Sequence, residues 1–224
     1  MGGNRNLLMT IYSPAIAYLL LPLSFLLGAV PFGFIAGRRR GIDLRELGSK
    51  SIGATNTMRA LGVPTGVTVL LLDASKGFVP VAAAKWLGLG GGWVVAVGLC
   101  AVLGHIYSPF VRFKGGKGVA TSLGVLIALS PTVAGITVLV FLAVAAATRW
   151  VSLGSILAAI AQAALFFVIT PGERAFQAFG IIVAVFVIFR HRSNIARILS
   201  GTENRVGQKA AVPAPATTDV SQIQ

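Results

Sequence analysis

The sequence predicts an all-α integral membrane protein: a seven-helix transmembrane bundle with the N-terminus outside, the C-terminus cytoplasmic and the fourth helix short. Three observations lead there. The 224 residues are 55% hydrophobic and only 11% charged, whereas a soluble domain carries about 25% charged residues. Two long runs lack Asp, Glu, Lys and Arg altogether: 23 positions at 14–36 and 19 at 93–111. The basic residues that give the net charge of +13 gather between such runs.

A helix needs about 20 apolar residues to cross the hydrocarbon core. In lipid the backbone must satisfy its own hydrogen bonds, which makes each run a helix. The first, 14–36, is too long for a signal-peptide core and is expected to remain as a span. Further spans are expected at roughly 64–86, 93–111, 153–170 and 175–189. The stretch 118–148 reads either as one helix kinked at Pro131 or as two, at about 118–130 and 132–148. Length favours one, because thirteen residues cover only about 20 Å. Charge favours two. With Arg38, Arg39, Arg40, Arg45, Lys50 and Arg59 placed in the cytoplasm, two spans put 15 basic residues inside and leave Arg5, Lys85 and Arg174 outside. Residues 1–206 then form a single transmembrane domain. The Ala/Pro/Thr-rich segment 207–224 is expected to be a disordered cytoplasmic tail.

Composition removes several kinds of chemistry. Cys100 is the only cysteine, so no disulfide or thiolate site can form within the chain. The six acids, Asp43, Glu46, Asp73, Glu173, Glu203 and Asp219, show no metal-binding spacing. No metal and no cofactor are expected. In a membrane chain the positive charge points to anionic lipid or an anionic substrate, and no nucleic-acid partner is expected.

Four polar segments reach the cytoplasmic face under this topology. In GSKSIGATNTMRALG (48–62), glycines such as Gly53 allow close approach to an anion, Ser49, Thr55 and Asn56 add donors, and Arg59 offers a bidentate fork. A capped interfacial helix is the alternative. In FKGGKGVAT (113–121), Gly115, Gly116 and Gly118 permit a tight turn into a helix start, where dipole and free amides favour an anion. Lys114 and Lys117 supply charge. No Ser or Thr follows Lys117, so this is no magnesium-nucleotide loop. In RWVSLGS (149–155), Ser152 and Ser155 are polar candidates or simple caps. In FRHRSNIARILSGTENR (189–205), His191, Asn194 and Arg197 recur every three residues on one helix face. The alternative there is an amphipathic surface helix. Asp73 and Lys76, at i and i+3 in the second span, are expected to pair beside a cavity, and His105 is expected to be a core histidine.

Together these segments resemble the bacterial acyl-phosphate-dependent glycerol-3-phosphate acyltransferase family (PlsY). The matching stretches are the Gly-Ala-Thr-Asn loop ending in Arg59, DASKG (73–77), GHIYSPF with FKGGKGVAT (104–121), RWVSLGS, and HRSNIARILSGTE (191–203). The resemblance implies transfer of a fatty acyl group from acyl phosphate to the sn-1 hydroxyl of glycerol 3-phosphate. The products are lysophosphatidic acid and inorganic phosphate, in the first step of membrane phospholipid synthesis. The His-x4-Asp motif of other glycerolipid acyltransferases is missing: Phe110 follows His105 and Ala196 follows His191 at the Asp position.

Roles follow from the resemblance as expectations. Ser49, Asn56 and Arg59 hold one phosphate, with Gly53 and Thr55 beside them. Lys117, with Lys114 nearby and the amides of the Gly115, Gly116 and Gly118 turn, holds the other. Asn194 and Arg197 orient phosphate and carbonyl. Ser152 or Ser155 completes the polar wall, and Glu203 orients a basic neighbour. His191 or a substrate phosphate oxygen takes the hydroxyl proton. The expected partners are the two substrates and membrane lipids. The enzyme is expected to be a monomer of the bacterial cell (inner) membrane, with a cytoplasmic active site, functionally coupled to an acyl-phosphate-producing enzyme. A transporter for a phosphorylated solute is the main rival, but its polar groups should lie at the bilayer midplane. A metal-dependent phosphotransferase would need carboxylates that this chain lacks.

Overall fold

This computed structural model describes residues 3–210, with side chains from Ala15 onward. The described residues form ten α-helices and one 3₁₀ turn, with no strand among them. The first span is broken. Helix α1 (Gly3–Ala29) ends one turn before α2 (Phe32–Arg38). Pro31 has no N–H to donate and stands at the break. Two side chains from other helices take up the exposed carbonyls: Ser108 Oγ donates to Ala29 O at 2.6 Å, and Lys76 Nζ to Val30 O at 2.7 Å. The run 14–36, read above as one span, remains one span with a break in its helix at residues 30–31.

The short helix α3 (Ala54–Leu61) follows the first loop, and Gly62, at φ 92°, turns the chain into α4 (Val63–Trp86). A left-handed residue there favours glycine. Helix α5 (Gly91–Ile106) leads to the 3₁₀ turn at Pro109–Val111, α6 (Val119–Leu129) and α7 (Pro131–Thr148). The stretch 118–148 is thus two helices. Ser130 caps α7 by accepting the Val133 N–H at 3.4 Å, and Pro131 occupies the first helical position. Helices α8 (Val151–Ile169), α9 (Arg174–Arg190) and α10 (Arg192–Leu199) complete the chain.

Five segments are long and apolar enough to cross a membrane: Ala15–Arg38, Val63–Trp86, Gly91–Val111, Pro131–Thr148 and Val151–Ile169. Helices α9 and α10 together pass the same test but bend by 57° at His191, and α6 is a shorter apolar helix of 11 residues.

Small residues bring the helices to backbone contact, as in other membrane bundles. A Cβ on Gly77 of α4 would lie 2.1 Å from Thr121 O, and one on Gly124 of α6 would lie 1.8 Å from Ala74 O. Gly28 of α1 and Gly104 of α5 meet Ala101 O and Phe25 O in the same reciprocal way. The first pair carries the N-terminus of α6 against Asp73 and Lys76, and so positions the site. Of the expected tail, residues 207–209 are exposed, and the Ala210 N–H donates to Arg59 O at 3.1 Å. Residues 211–224 lie outside the described residues.

Candidate active site

All four polar segments converge on one cavity of about 140 Å³. Its wall includes Ser49, Gly53, Thr55, Asn56 and Arg59 from the first segment, and Lys117 and Gly118 from the second. Ser152 and Ser155 come from the third, and His191, Asn194 and Glu203 from the fourth.

Glu203 organises the fourth side. Its Oε1 accepts from Ser152 Oγ at 2.9 Å and Asn194 Nδ2 at 2.7 Å, and its Oε2 accepts from Arg197 Nε at 2.7 Å. With its amide held this way, Asn194 turns Oδ1 to Lys117, whose Nζ donates to it at 2.5 Å. Glu203 thus holds Arg197, and through Asn194 it also orients Lys117. Burial pushes the Lys117 ammonium down to about 8. Glu203 opposes that shift, while Arg197, Arg59 and Arg190 add to it. Burial also lowers the Arg59 guanidinium below its ordinary value, against the pull of Glu203. Arg59 makes one long contact, Nη2 to Asn204 O at 3.4 Å, so most of its fork is unspent.

His191 sits between α9 and α10. Its Nδ1 is 2.7 Å from Val187 O, a contact that places the proton on Nδ1 and leaves Nε2 as an acceptor. Burial, and next the charge of Lys117, hold the imidazole down at about 3. The ring is therefore neutral at physiological pH and a weak base.

The second segment is built differently from the expectation. The Gly115 N–H donates to Ile106 O and the Gly116 N–H to His105 O, both at 3.1 Å. Neither amide is free for phosphate, and neither glycine lines the cavity. Both are needed for close packing. A Cβ on Gly115 would sit 2.0 Å from His105 O, and one on Gly116 would sit 2.1 Å from His105 Nε2. Arg190 clasps the turn from outside, its Nη2 donating to Gly115 O at 3.0 Å and Gly116 O at 3.1 Å. Lys114 is exposed away from the cavity. The available amides are those of Val119 and Ala120, in the first turn of α6, where a helix leaves N–H groups unpaired. Gly118 starts that turn at φ 85°.

Asn56 also differs. Its Nδ2 lies within 3.0 Å of Leu44 O, Leu47 O and Ser51 O, and its Oδ1 accepts the Ser49 N–H at 2.9 Å. Both amide donors are engaged and the oxygen accepts one bond, so Asn56 shapes the first loop and has no donor left for a ligand. The hydroxyl of Ser155 bonds Val151 O in its own helix. Arg197 does not line the cavity and stands behind Glu203. Asp73 and His105 do line it. The Asp73–Lys76 pair forms at 2.8 Å, and His105 Nδ1 lies 3.7 Å from Asp73 Oδ1.

A second, larger cavity of about 590 Å³ opens from the first and shares Ala54, Thr55, Leu70, Phe141 and Ser155 with it. Its lining is overwhelmingly aliphatic and aromatic. The arrangement pairs a small cationic chamber with a long apolar groove.

The model of a family described as glycerol-3-phosphate acyltransferase matches residues 18–201. The glycerol-3-phosphate acyltransferase of Geobacter sulfurreducens is 45% identical over 187 residues, 84% of this chain and 96% of that protein. That of Aquifex aeolicus is 45% identical over 191 residues, covering 84% and 98%. This chain belongs to the glycerol-3-phosphate acyltransferase family. Its fold is that of crystal structures of PlsY (YgiH), described as an integral membrane glycerol 3-phosphate acyltransferase. The glycerol 3-phosphate form aligns with a TM-score of 0.81 at 44% identity, covering 85% of this chain and 96% of the other. The lysophosphatidic acid form aligns with a TM-score of 0.78 at 43% identity.

Within this acyltransferase, four residues at or beside the cavity escape a reading of the sequence. Arg190 looks like any positive-inside residue, although it holds the glycine turn. His105 carries no local signal that it faces the chamber, whereas Asp73 lines it as its pairing with Lys76 suggested. Leu70 and Phe141, at its junction with the groove, look like ordinary lipid-facing residues.

Proposed function

We propose that this acyltransferase moves a fatty acyl group from acyl phosphate to the sn-1 hydroxyl of glycerol 3-phosphate, releasing lysophosphatidic acid and inorganic phosphate. The observation that carries the reading is the union of chamber and groove. Lys117 and Arg59 stand in a polar chamber that opens directly into an apolar channel. That is the shape of a molecule with an anionic head and a fatty tail. The PlsY crystal structures, described as glycerol 3-phosphate and lysophosphatidic acid forms, support the same substrate and product.

In this reading Arg59, Ser49, Thr55 and the Gly53 end of α3 hold one phosphate. Lys117 and the Val119 and Ala120 amides hold the other. Lys117 neutralises charge growing on the phosphate leaving group and the carbonyl oxygen, from a part-buried position where its charge acts more strongly than in bulk water. Asn194, Ser152 and Glu203 fix Lys117, and Arg197 acts through Glu203. At about 3, His191 is far from the operating pH favoured for a general base. A phosphate oxygen of the substrate is then the better acceptor for the hydroxyl proton, with His191 Nε2 accepting a hydrogen bond nearby. No metal is needed: phosphate already leaves readily, and cations line the chamber. Among the described residues no three His, Cys, Asp or Glu side chains gather as metal ligands.

The basic loops favour seven spans, with N-terminus out and C-terminus in, and place the chamber at the cytoplasmic face of the bacterial inner membrane. A monomer suffices, because one chain supplies every wall of the chamber. It would draw its donor from an acyl-phosphate-producing enzyme. A cysteine at position 149 that is labelled from outside would overturn this orientation. The catalytic assignment is tested with Lys117→Ala. The variant should fold, as judged by its melting temperature, and lose nearly all acyl transfer. Near-normal turnover would refute the role of Lys117.

A further inference from the structure

The groove beside the chamber is not apolar throughout. Gln162 of α8 lines it, is only 3% exposed, and its Nε2 has no hydrogen-bond partner among the described residues. Thr137 of α7 lines the same groove, is 8% exposed, and its Oγ1 is likewise unpartnered. Counted from the loop that joins the helices, the two lie equally far along α7 and α8. Thr137 lies eleven residues before the end of α7 at Thr148, and Gln162 eleven residues after the start of α8 at Val151. Each distance is about 16 Å of helix. The two helices pack as a close hairpin: a Cβ on Gly154 would lie 3.0 Å from Phe141 O. Ser122 Oγ is also unpartnered and lines the groove, but it lies three residues into α6, nearer the chamber.

Unpaired polar groups this deep in a membrane protein carry a desolvation cost with no local return. Leu or Val would fill the same space without that cost. A water molecule typically makes about three hydrogen bonds, and this depth offers only the minimum of two side-chain partners in an otherwise apolar wall. The missing partner is more naturally supplied by the chain that occupies the groove.

We infer that Thr137 and Gln162 form a mid-chain subsite that recognises a hydroxyl on the acyl chain. The hydroxyl oxygen accepts from Gln162 Nε2, and Thr137 Oγ1 exchanges a second hydrogen bond with the same group. A site built this way favours the hydroxylated chain, because a plain chain leaves both protein groups unpaired. The inference rests on the reading above, in which the acyl tail lies in this groove and its phosphate head in the chamber.

The experiment uses full-length protein in lipid nanodiscs, saturating glycerol 3-phosphate, and acyl phosphates of one length with a hydroxyl placed at successive carbons. The readout is the ratio of kcat/KM for each hydroxylated chain to that for the plain chain. The ratio should peak at one mid-chain position. At that position it should fall at least tenfold in Gln162→Leu and severalfold in Thr137→Val, with no comparable fall for hydroxyls near the carbonyl or the methyl end. A ratio without a peak, or a peak that survives both variants, overturns the subsite. If one variant fails to fold, the other and the wild-type series still decide. If no acyl phosphate turns over at all, the proposed function fails. The subsite is then judged by thermal shift. Mid-chain-hydroxylated fatty chains should stabilise the wild type more than plain chains of equal length and lose that advantage in Gln162→Leu. Equal shifts would overturn it.

Discussion

At the scale of single residues, hydrogen-bond inventory separates shaping from binding. Asn56 and Ser49 face the same chamber, but Asn56 has spent both amide donors on the loop, while no partner takes the Ser49 hydroxyl among the described residues. Asn56→Ala would leave buried carbonyls unpaired and should cost about 2–3 kcal/mol of stability. Ser49→Ala should leave the melting temperature nearly unchanged and raise KM for a phosphorylated substrate. Equal melting temperatures for both variants would show that Asn56 does not brace the loop. Lys117 gives a pH signature. Its folded value of about 8 lies below the unfolded one. Burying the ammonium therefore costs stability in full below about pH 8, and that cost fades toward about pH 10.4. Activity needs the ammonium, so kcat/KM should fall as pH rises through about 8 while stability from this group rises. Bound phosphate favours the charged form, so the same limb in kcat should lie at higher pH. A kcat/KM profile flat to pH 10 would contradict this. Residue types at these positions are legible in the sequence: Arg59, Lys117, Ser152, His191, Asn194 and Glu203 all reach the chamber. Their hydrogen-bond partners are not, because Asn56 and Asn194 differ only in what the fold brings to them.

At the scale of elements, the glycine turn is a packed joint, and the amides left unpaired begin only after it. Gly115 and Gly116 press on His105, Arg190 grips their carbonyls, and the free amides belong to α6. Gly115→Ala and Gly116→Ala should therefore lower stability, by about 1–3 kcal/mol each, along with activity. Gly115→Ala should be the worse, because its Cβ meets backbone while that of Gly116 meets a side chain. Weakened phosphate binding at unchanged melting temperature would favour the amide-cradle reading instead. A Gly-Lys-Gly pattern before a helix puts Lys117 and the start of α6 on the chamber wall. It cannot tell which amides are already used, since Ile106 and His105 belong to the preceding helix. The split at Pro131 was legible because Ser130-Pro131 is a start signal and basic residues flank both ends. The break at residues 30–31 was not legible. Its stability depends on Ser108 and Lys76, far away in the sequence.

At the scale of the whole molecule, chemistry and membrane share one boundary. Reciprocal glycine contacts draw α4 to α6 and α1 to α5, and the four polar segments meet where α6 begins. That convergence was readable from the charge pattern, which sends every polar segment to one face. The apolar groove was not readable, because its walls come from α3, α4 and α6 through α9 and each contributor looks like a lipid-facing residue. The account stands on a chamber that accepts a phosphate head while its groove keeps the fatty tail in an apolar setting, without a metal. The most direct measurement incubates the purified protein with acyl phosphate, glycerol 3-phosphate and EDTA and follows lysophosphatidic acid and inorganic phosphate. The account predicts that both form in equal amounts. Transfer that requires acyl-CoA or a divalent metal, or movement of glycerol 3-phosphate across a sealed membrane with no acylated product, would contradict it.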